Sequence, residues 1–416
     1  MSLPAPRGEV PSPRGGGVFI GGNAYQDPPP SRRRRRATSP RGAGRNNTCF
    51  ESASGGTKQE RTHFNNTPLP PPPIAYCLLP SPSPLPSPVR KTLIAIAPTL
   101  KLTRVTTAFG AVANLWFVIL WARFNPEELA PHPIKDASLP LLLAAGLIAG
   151  VGLYAFGTSL NDLLDVHRDR ALNKQTSPIV DGSASIELAV CLVAATLMLA
   201  ILGSIAFGTE AILMTLLLAV AILIFNALGK FIPGIGMLLL ALIYAGHMLI
   251  PDLWTRFLLP VWLVMTHALI VAALAQQLGR RSPPISRRAA VFALLGWLAC
   301  TIALFALAWT RRVPEDGLWP NFVPPTAILY PLGFVLIFAI MIWRRYKKVG
   351  LGPALGEKIT RYGAIWPALY ACGWLAGAGL WTACAIMATL TITGFLVMTV
   401  LRELYALIEH PVGYRL

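Results

Sequence analysis

The sequence predicts an all-α fold, a polytopic transmembrane helical bundle of nine or ten spans, and two observations carry that reading. Of 416 residues, 54% are hydrophobic and 13% are charged, roughly half the charged share of an average soluble domain. The apolar runs are about 18–22 residues long and do not alternate as barrel strands would, so each matches one helical crossing of a bilayer.

Taken in order, residues 1–91 stand apart. They are rich in Pro, Ser, Gly and Arg, with stretches such as PLPPPPIAYCLLPSPSPLPSP. A segment of that kind buries too little apolar surface to offset its ordering entropy, and disorder is expected. The run Arg32–Arg36 has the character of an Arg-rich transit peptide or of a patch for anionic headgroups or nucleic acid. The favoured reading is a cationic tail with no specific nucleic-acid partner. No apolar segment follows closely enough for a twin-arginine signal.

The membrane domain is expected over 92–410. Spans are predicted at about 104–123, 138–158, 186–206, 210–228, 232–250, 256–276, 289–309 and 324–343, followed by an apolar stretch over 366–402. That last stretch is too long for one straight crossing; it is one tilted span with an interfacial segment, or two spans turning near Gly377–Gly379. The loops after the even-numbered spans hold fourteen Lys/Arg and those after the odd-numbered ones five. The positive-inside rule therefore predicts a cytoplasmic N-terminus, in keeping with a bacterial inner membrane. Six cysteines show no CxxC or paired spacing, and the four in apolar runs, Cys191, Cys300, Cys372 and Cys384, are expected to serve as small packing residues.

The chemistry concentrates at the end of the second span. Beyond Lys91 the chain has fifteen acidic residues, and Asp162, Asp165 and Asp169 fall within eight positions. Asn161, Asp165 and Asp169 stand four apart, so a continuing helix would carry them as one stripe, with Asp162 off it. Like charges at that spacing repel, more so where water is scarce, which points to a neutralising cation. Oxygen ligands of this type suit Mg²⁺, which binds through one or two carboxylates plus substrate phosphates. Asn161, Asp162, Asp165 and Asp169 are the candidate metal ligands.

On the same predicted face lie Asn226 and Lys230, the lysine serving as a phosphate-binding charge or as a snorkelling anchor. Gln276, Gln277, Arg280 and Arg281 follow the sixth span, where the arginines would help to hold a diphosphate or simply mark a cytoplasmic loop. Polar residues inside spans are few: Asn114, Tyr154, Tyr244, His247 and His267, each expected to line a pocket or to bond a neighbouring helix. No His pair has metal-binding spacing. Charges near span centres and internal repeats, the marks of a transporter, are not seen.

Asn161-Asp162-Leu-Leu-Asp165-Val-His-Arg-Asp169 resembles NDxxDxxxD, the first Asp-rich signature of the UbiA superfamily of membrane-embedded polyprenyltransferases. Ser177-Pro178-Ile179-Val180-Asp181-Gly182 loosely resembles that family's RPIxxG run, and Asn226 to Pro233 its N-x-x-x-K-x-x-P element. The resemblance covers about residues 93–402. It implies a helical bundle with a central cavity, a polyprenyl diphosphate donor held through Mg²⁺, and a lipophilic acceptor in the bilayer. Asp165, Asp169 and Asn161 would be catalytic, with Lys230, Asn226, Arg280, Arg281, Tyr154 and His247 binding substrate. The family's second Asp-rich motif has no counterpart, because Gln276-Gln277-Leu-Gly-Arg280-Arg281 stands in its place. The alternative is thus a degenerate relative that binds an isoprenoid lipid without turnover. A CDP-alcohol phosphotransferase is disfavoured, since its DGxxAR element is missing.

Overall fold

The computed structural model describes residues 96–125, 133–172, 177–313, 315 and 317–409, all within one compact unit, Pro80–Leu416. The expected disordered tail, 1–91, and Lys174 lie outside the described residues. Among the described residues there is no strand. The helices are α1 Phe109–Phe124, α2 Leu139–Leu164, α3 Val166–Ala171, α4 Ile186–Ile205, α5 Thr209–Ala227, α6 Pro233–Met248, α7 Leu259–Leu278, α8 Arg287–Arg311, α9 Leu329–Val349, α10 Pro353–Ile365, α11 Pro367–Gly377 and α12 Trp381–Glu409.

Seven helices among the described residues are long and apolar enough to cross a bilayer, and α1 and α6 are shorter apolar helices. The chain is a helical integral membrane protein. Its outer helices show why: α8 turns Leu294, Leu295 and Ile302 outward, and α12 turns out Ile392 and Leu396. Such surfaces are costly in water and cheap in lipid. Where side chains leave the apolar pattern, the ends are capped. Ser185 accepts a hydrogen bond from the Leu188 amide at the start of α4, and Ser286 accepts one from Ala289 at the start of α8.

Helix α2 is the hub. Its glycines each admit a different neighbour. A Cβ at Gly150 would meet the Val112 backbone of α1, one at Gly152 would lie 2.5 Å from the Ala200 nitrogen of α4, and one at Gly157 would meet Ile222 of α5. Small residues therefore let three helices approach α2 closely, as membrane packing favours. Helix α6 packs on the far side of α5 and against α7 and α8.

One boundary differs from the sequence expectation, and a second falls where one of the alternatives put it. The first span begins at Phe109, because 105–107 forms a 3₁₀ turn held against α2. The long terminal stretch is divided: α11 stops at Gly377, Gly379 takes the left-handed φ of 76°, and the Leu380 amide returns to the Leu375 carbonyl. A glycine there closes a helix with little strain. The turn falls where Gly377–Gly379 predicted it, and α11, eleven residues and about 16 Å long, is too short to cross alone.

Candidate active site

The Asp-rich segment lies at the C-terminal end of α2, where aligned peptide dipoles already place partial negative charge. Three carboxylates there require cations nearby. The helix does not continue through them: α2 ends at Leu164, and Asp165 sits at a turn with φ −85° and ψ −2° before α3 begins. The expected unbroken stripe is thus interrupted. The four-residue hydrogen bonds persist across the turn, Asp165 N to Asn161 O at 3.0 Å and Asp169 N to Asp165 O at 2.8 Å.

The side chains sort into two faces. On one, Tyr154, Thr158 and Asp162 clamp the segment before α1. Tyr154 and Thr107 share a hydroxyl hydrogen bond of 2.7 Å, Thr158 donates to the Thr103 carbonyl at 2.9 Å, and Arg104 donates to Asp162 Oδ1 at 2.9 Å. Arg104 holds a left-handed φ of 45° to reach it, an arrangement that costs on the order of 1 kcal/mol for a non-glycine residue. Asp162, the carboxylate expected off the stripe, is therefore buried and engaged by a guanidinium.

On the other face, Asn161 and Asp165 converge on a single cation. Lys230 Nζ donates to Asn161 Oδ1 at 2.9 Å and to Asp165 Oδ2 at 2.8 Å. Asn161 Nδ2 also donates to Asp162 Oδ1 at 3.2 Å, joining the faces. Lys230 arrives by local design. Asn226, in the last turn of α5, donates to the Gly157 carbonyl of α2 at 3.2 Å. A 3₁₀ turn, Gly229–Phe231, then reverses the chain, and Pro233 opens α6 after the extended residue Ile232. Arg168 and Lys230 each lie 5.3 Å from the Phe231 ring centre, within cation–π range.

A cavity of about 290 Å³ extends from Asn161 and Arg104 into the bundle. Its wall includes Leu153, Tyr154, Ile222, Phe225, Asn226 and Tyr244, and His247 and Asn114 lie at the end remote from Asn161. A second cavity of about 220 Å³ shares Phe225, Leu240, Tyr244 and Ala364 with the first, and brings together Lys230, Gln276, Arg281 and Thr360.

Of the residues expected from sequence, Asn161, Asp165 and Lys230 meet directly. Tyr154, Asn226 and His247 line the first cavity and Arg281 the second. Asp169 is buried one turn beyond Asp165. Arg280 is exposed and lines neither cavity. His267 bonds the Gly363 carbonyl and the Tyr370 hydroxyl, both at 3.0 Å, and so serves as an interhelical link. The Ser177–Gly182 run forms a turn with Ile179 packed on Val166, beneath α3. Sequence reasoning missed Arg104 and Thr360. Arg104 reads there as the flanking charge of a span, and the left-handed backbone that aims it has no signature in an Arg-Val-Thr-Thr sequence.

The oxygen set suits a hard cation. Asn161 Oδ1 and Asp165 Oδ2 already meet a positive charge within 3 Å. Among the described residues no group of three or more His, Cys, Asp or Glu surrounds a metal position.

No family model matches the sequence, and no curated protein matches it either. Among solved structures, the chain is similar to a digeranylgeranylglyceryl phosphate synthase in membranes, at 17% identity and a TM-score of 0.42, over 68% of this chain and 98% of that one. It is similar to a UbiA homolog from Archaeoglobus fulgidus at 19% identity and a TM-score of 0.42, over 68% and 99%. A UbiA homolog from the same organism bound to GPP and Mg²⁺ gives 17% identity and a TM-score of 0.40, over 67% and 99%. At these values the likeness is a similarity alone, and the reading below rests on this chain's own side chains.

Proposed function

We propose that the protein is a UbiA-type membrane prenyltransferase, moving an isoprenyl group from its diphosphate to a lipophilic acceptor. The observation that carries this reading is the convergence of Asn161 and Asp165 on Lys230, where Asn161 lines one cavity between membrane helices and Lys230 lines the adjoining one. Asp165 and Asn161, with Asp169 on the following turn, would hold Mg²⁺. Asp162, tied to Arg104 and to the Asn161 amide, orients Asn161 and completes the acidic cluster without facing the ammonium.

When bound, Mg²⁺ would neutralise charge gathering on the departing diphosphate. Lys230 adds a fixed positive charge at the same place, which favours ionisation of the allylic C–O bond. Leu153, Ile222 and Phe225 keep the chamber apolar, so that the allylic cation meets the acceptor before water. The rings of Phe225, Tyr154 and Tyr244 offer π faces to that cation. The excess of Lys/Arg in the loops at this end supports a cytoplasmic mouth.

The test is consumption of geranyl, farnesyl or geranylgeranyl diphosphate by the purified protein with Mg²⁺. Asp165→Ala should abolish it. A protein that consumes none of them, or whose consumption survives Asp165→Ala, is not this enzyme. One observation favours a second reading, a lipid-binding relative without turnover: the second cavity is lined by Lys230, Arg281 and Gln276, with no carboxylate. Tight diphosphate binding without consumption would select it.

A further inference from the structure

His247 is 93% buried by its 7% exposure, and neither ring nitrogen has a hydrogen-bond partner. Buried polar groups in folded proteins are almost always partnered, and an orphaned one calls for a reason. The imidazole lines the first cavity on the same face of α6 as Leu240 and Tyr244, with Asn114 contributed by α1. No charged side chain lines that end; Arg104, the charged residue in the lining, is held at the mouth by Asp162.

His247 is too remote for the reacting carbon. It stands fourteen residues beyond Pro233, about 21 Å along α6 from the turn that carries Lys230. The pairing of Gly246 with Leu218 sets it two turns beyond Asn226 on α5. On α2 the cavity wall runs from Asn161 to Leu153, about 12 Å. The ligand that fills this chamber thus ends on His247, not on its phosphorylated head.

We infer that the chamber is built for a chain bearing a neutral hydroxyl at the end away from its head group, and that His247 recognises it. A neutral imidazole presents one N–H donor and one acceptor, and a hydroxyl both donates and accepts, so the two match in either tautomer. A plain hydrocarbon end would leave both nitrogens unpaired. The inference rests on the prenyltransferase reading for where the head sits, and it names the ligand's opposite end. The chain belongs to the donor or to the acceptor, and the two are separable by experiment.

The experiment measures equilibrium binding to purified full-length protein in nanodiscs, using two probe pairs. The first is farnesyl diphosphate and its 12-hydroxy derivative with Mg²⁺; the second is farnesyl methyl ether and its 12-hydroxy derivative, so that the plain member carries no hydroxyl. Twelve main-chain carbons extend about 14 Å at ordinary bond lengths and angles, comparable with the chamber. Wild type should prefer the hydroxylated probe about tenfold, what one net hydrogen bond supplies. His247→Leu should erase or reverse the preference while binding the plain chain at least as tightly, and His247→Gln, which keeps a donor and an acceptor, should retain part of it. Comparing each preference ratio with its variant cancels differences in lipid partitioning. Preference in both pairs assigns the chain to the donor, and preference in the diphosphate-free pair alone assigns it to the acceptor. Equal binding by wild type in both pairs, or a preference untouched by His247→Leu, overturns the inference and leaves His247 to a water molecule. Loss of all diphosphate binding would instead sink the prenyltransferase reading, and the ether pair would still decide the role of His247.

Discussion

Lys230→Met isolates the cation at the centre of the site. The side chain leaves Asp165 Oδ2 at 2.8 Å and Asn161 Oδ1 at 2.9 Å without their donor, and Lys230 and Asp165 are each 15% exposed. Breaking a fully buried pair costs about 3–5 kcal/mol and an exposed one about 0–1. At 15% exposure the loss belongs near the lower edge of the buried range, about 3 kcal/mol. With an unfolding entropy near 2 cal/mol/K per residue over a membrane domain of some 320 residues, that is a fall of about 5 °C in Tm. The assay is thermal unfolding of detergent-purified protein in EDTA and again in millimolar Mg²⁺. A divalent ion seated by Asp165 and Asn161 replaces the lost charge, so Mg²⁺ should restore most of the variant's loss and shift wild type less. Equal Tm for variant and wild type in EDTA would show that the pair contributes nothing. A deficit that Mg²⁺ does not change would show that these oxygens do not seat a divalent ion.

Arg104→Met should cost only about 1 kcal/mol, read as a small fall in Tm, because the arginine side chain is 50% exposed and solvent screens its pairing with Asp162. Gly152→Val should cost about 3 kcal/mol or more, since the new side chain would meet the Ala200 and Thr196 backbone at 2.5–2.9 Å and helices cannot separate locally; loss of a monodisperse peak on size exclusion is the readout.

The bundle was legible because lipid imposes one rule along each apolar run, and run length then marks where the helices lie. The convergence of Asn161, Asp165 and Lys230 was legible too, since four-residue spacing at the end of one span and a lysine at the end of another fall at the same level of the bilayer. What the sequence hid depended on short irregular segments. The 3₁₀ turn before α1 gives Asp162 to Arg104, and periodicity cannot forecast a left-handed arginine. His247 and His267 look alike in sequence, each a lone histidine in an apolar helix. Only the placement of the Gly363 carbonyl and Tyr370 satisfies one and leaves both ring nitrogens of the other without a partner.

The end of α7 argues for a single-metal version of the chemistry. Gln276 Nε2 donates to the Pro283 carbonyl at 2.5 Å and so is tied to its own loop. The Arg281 guanidinium, 3.3 Å from the Thr360 hydroxyl, lines the cavity that Lys230 also lines. On the prenyltransferase reading, Lys230 and Arg281 would supply there the positive charge that a second ion would otherwise bring to the diphosphate. Turnover of a prenyl diphosphate should then rise with Mg²⁺ as a simple hyperbola, with a Hill coefficient near one, and Arg281→Gln should raise the donor KM about tenfold while that coefficient stays near one. A coefficient near two in wild type would mean that a second ion is bound after all, through phosphate oxygens and water, and that Arg281 and Lys230 do not replace it.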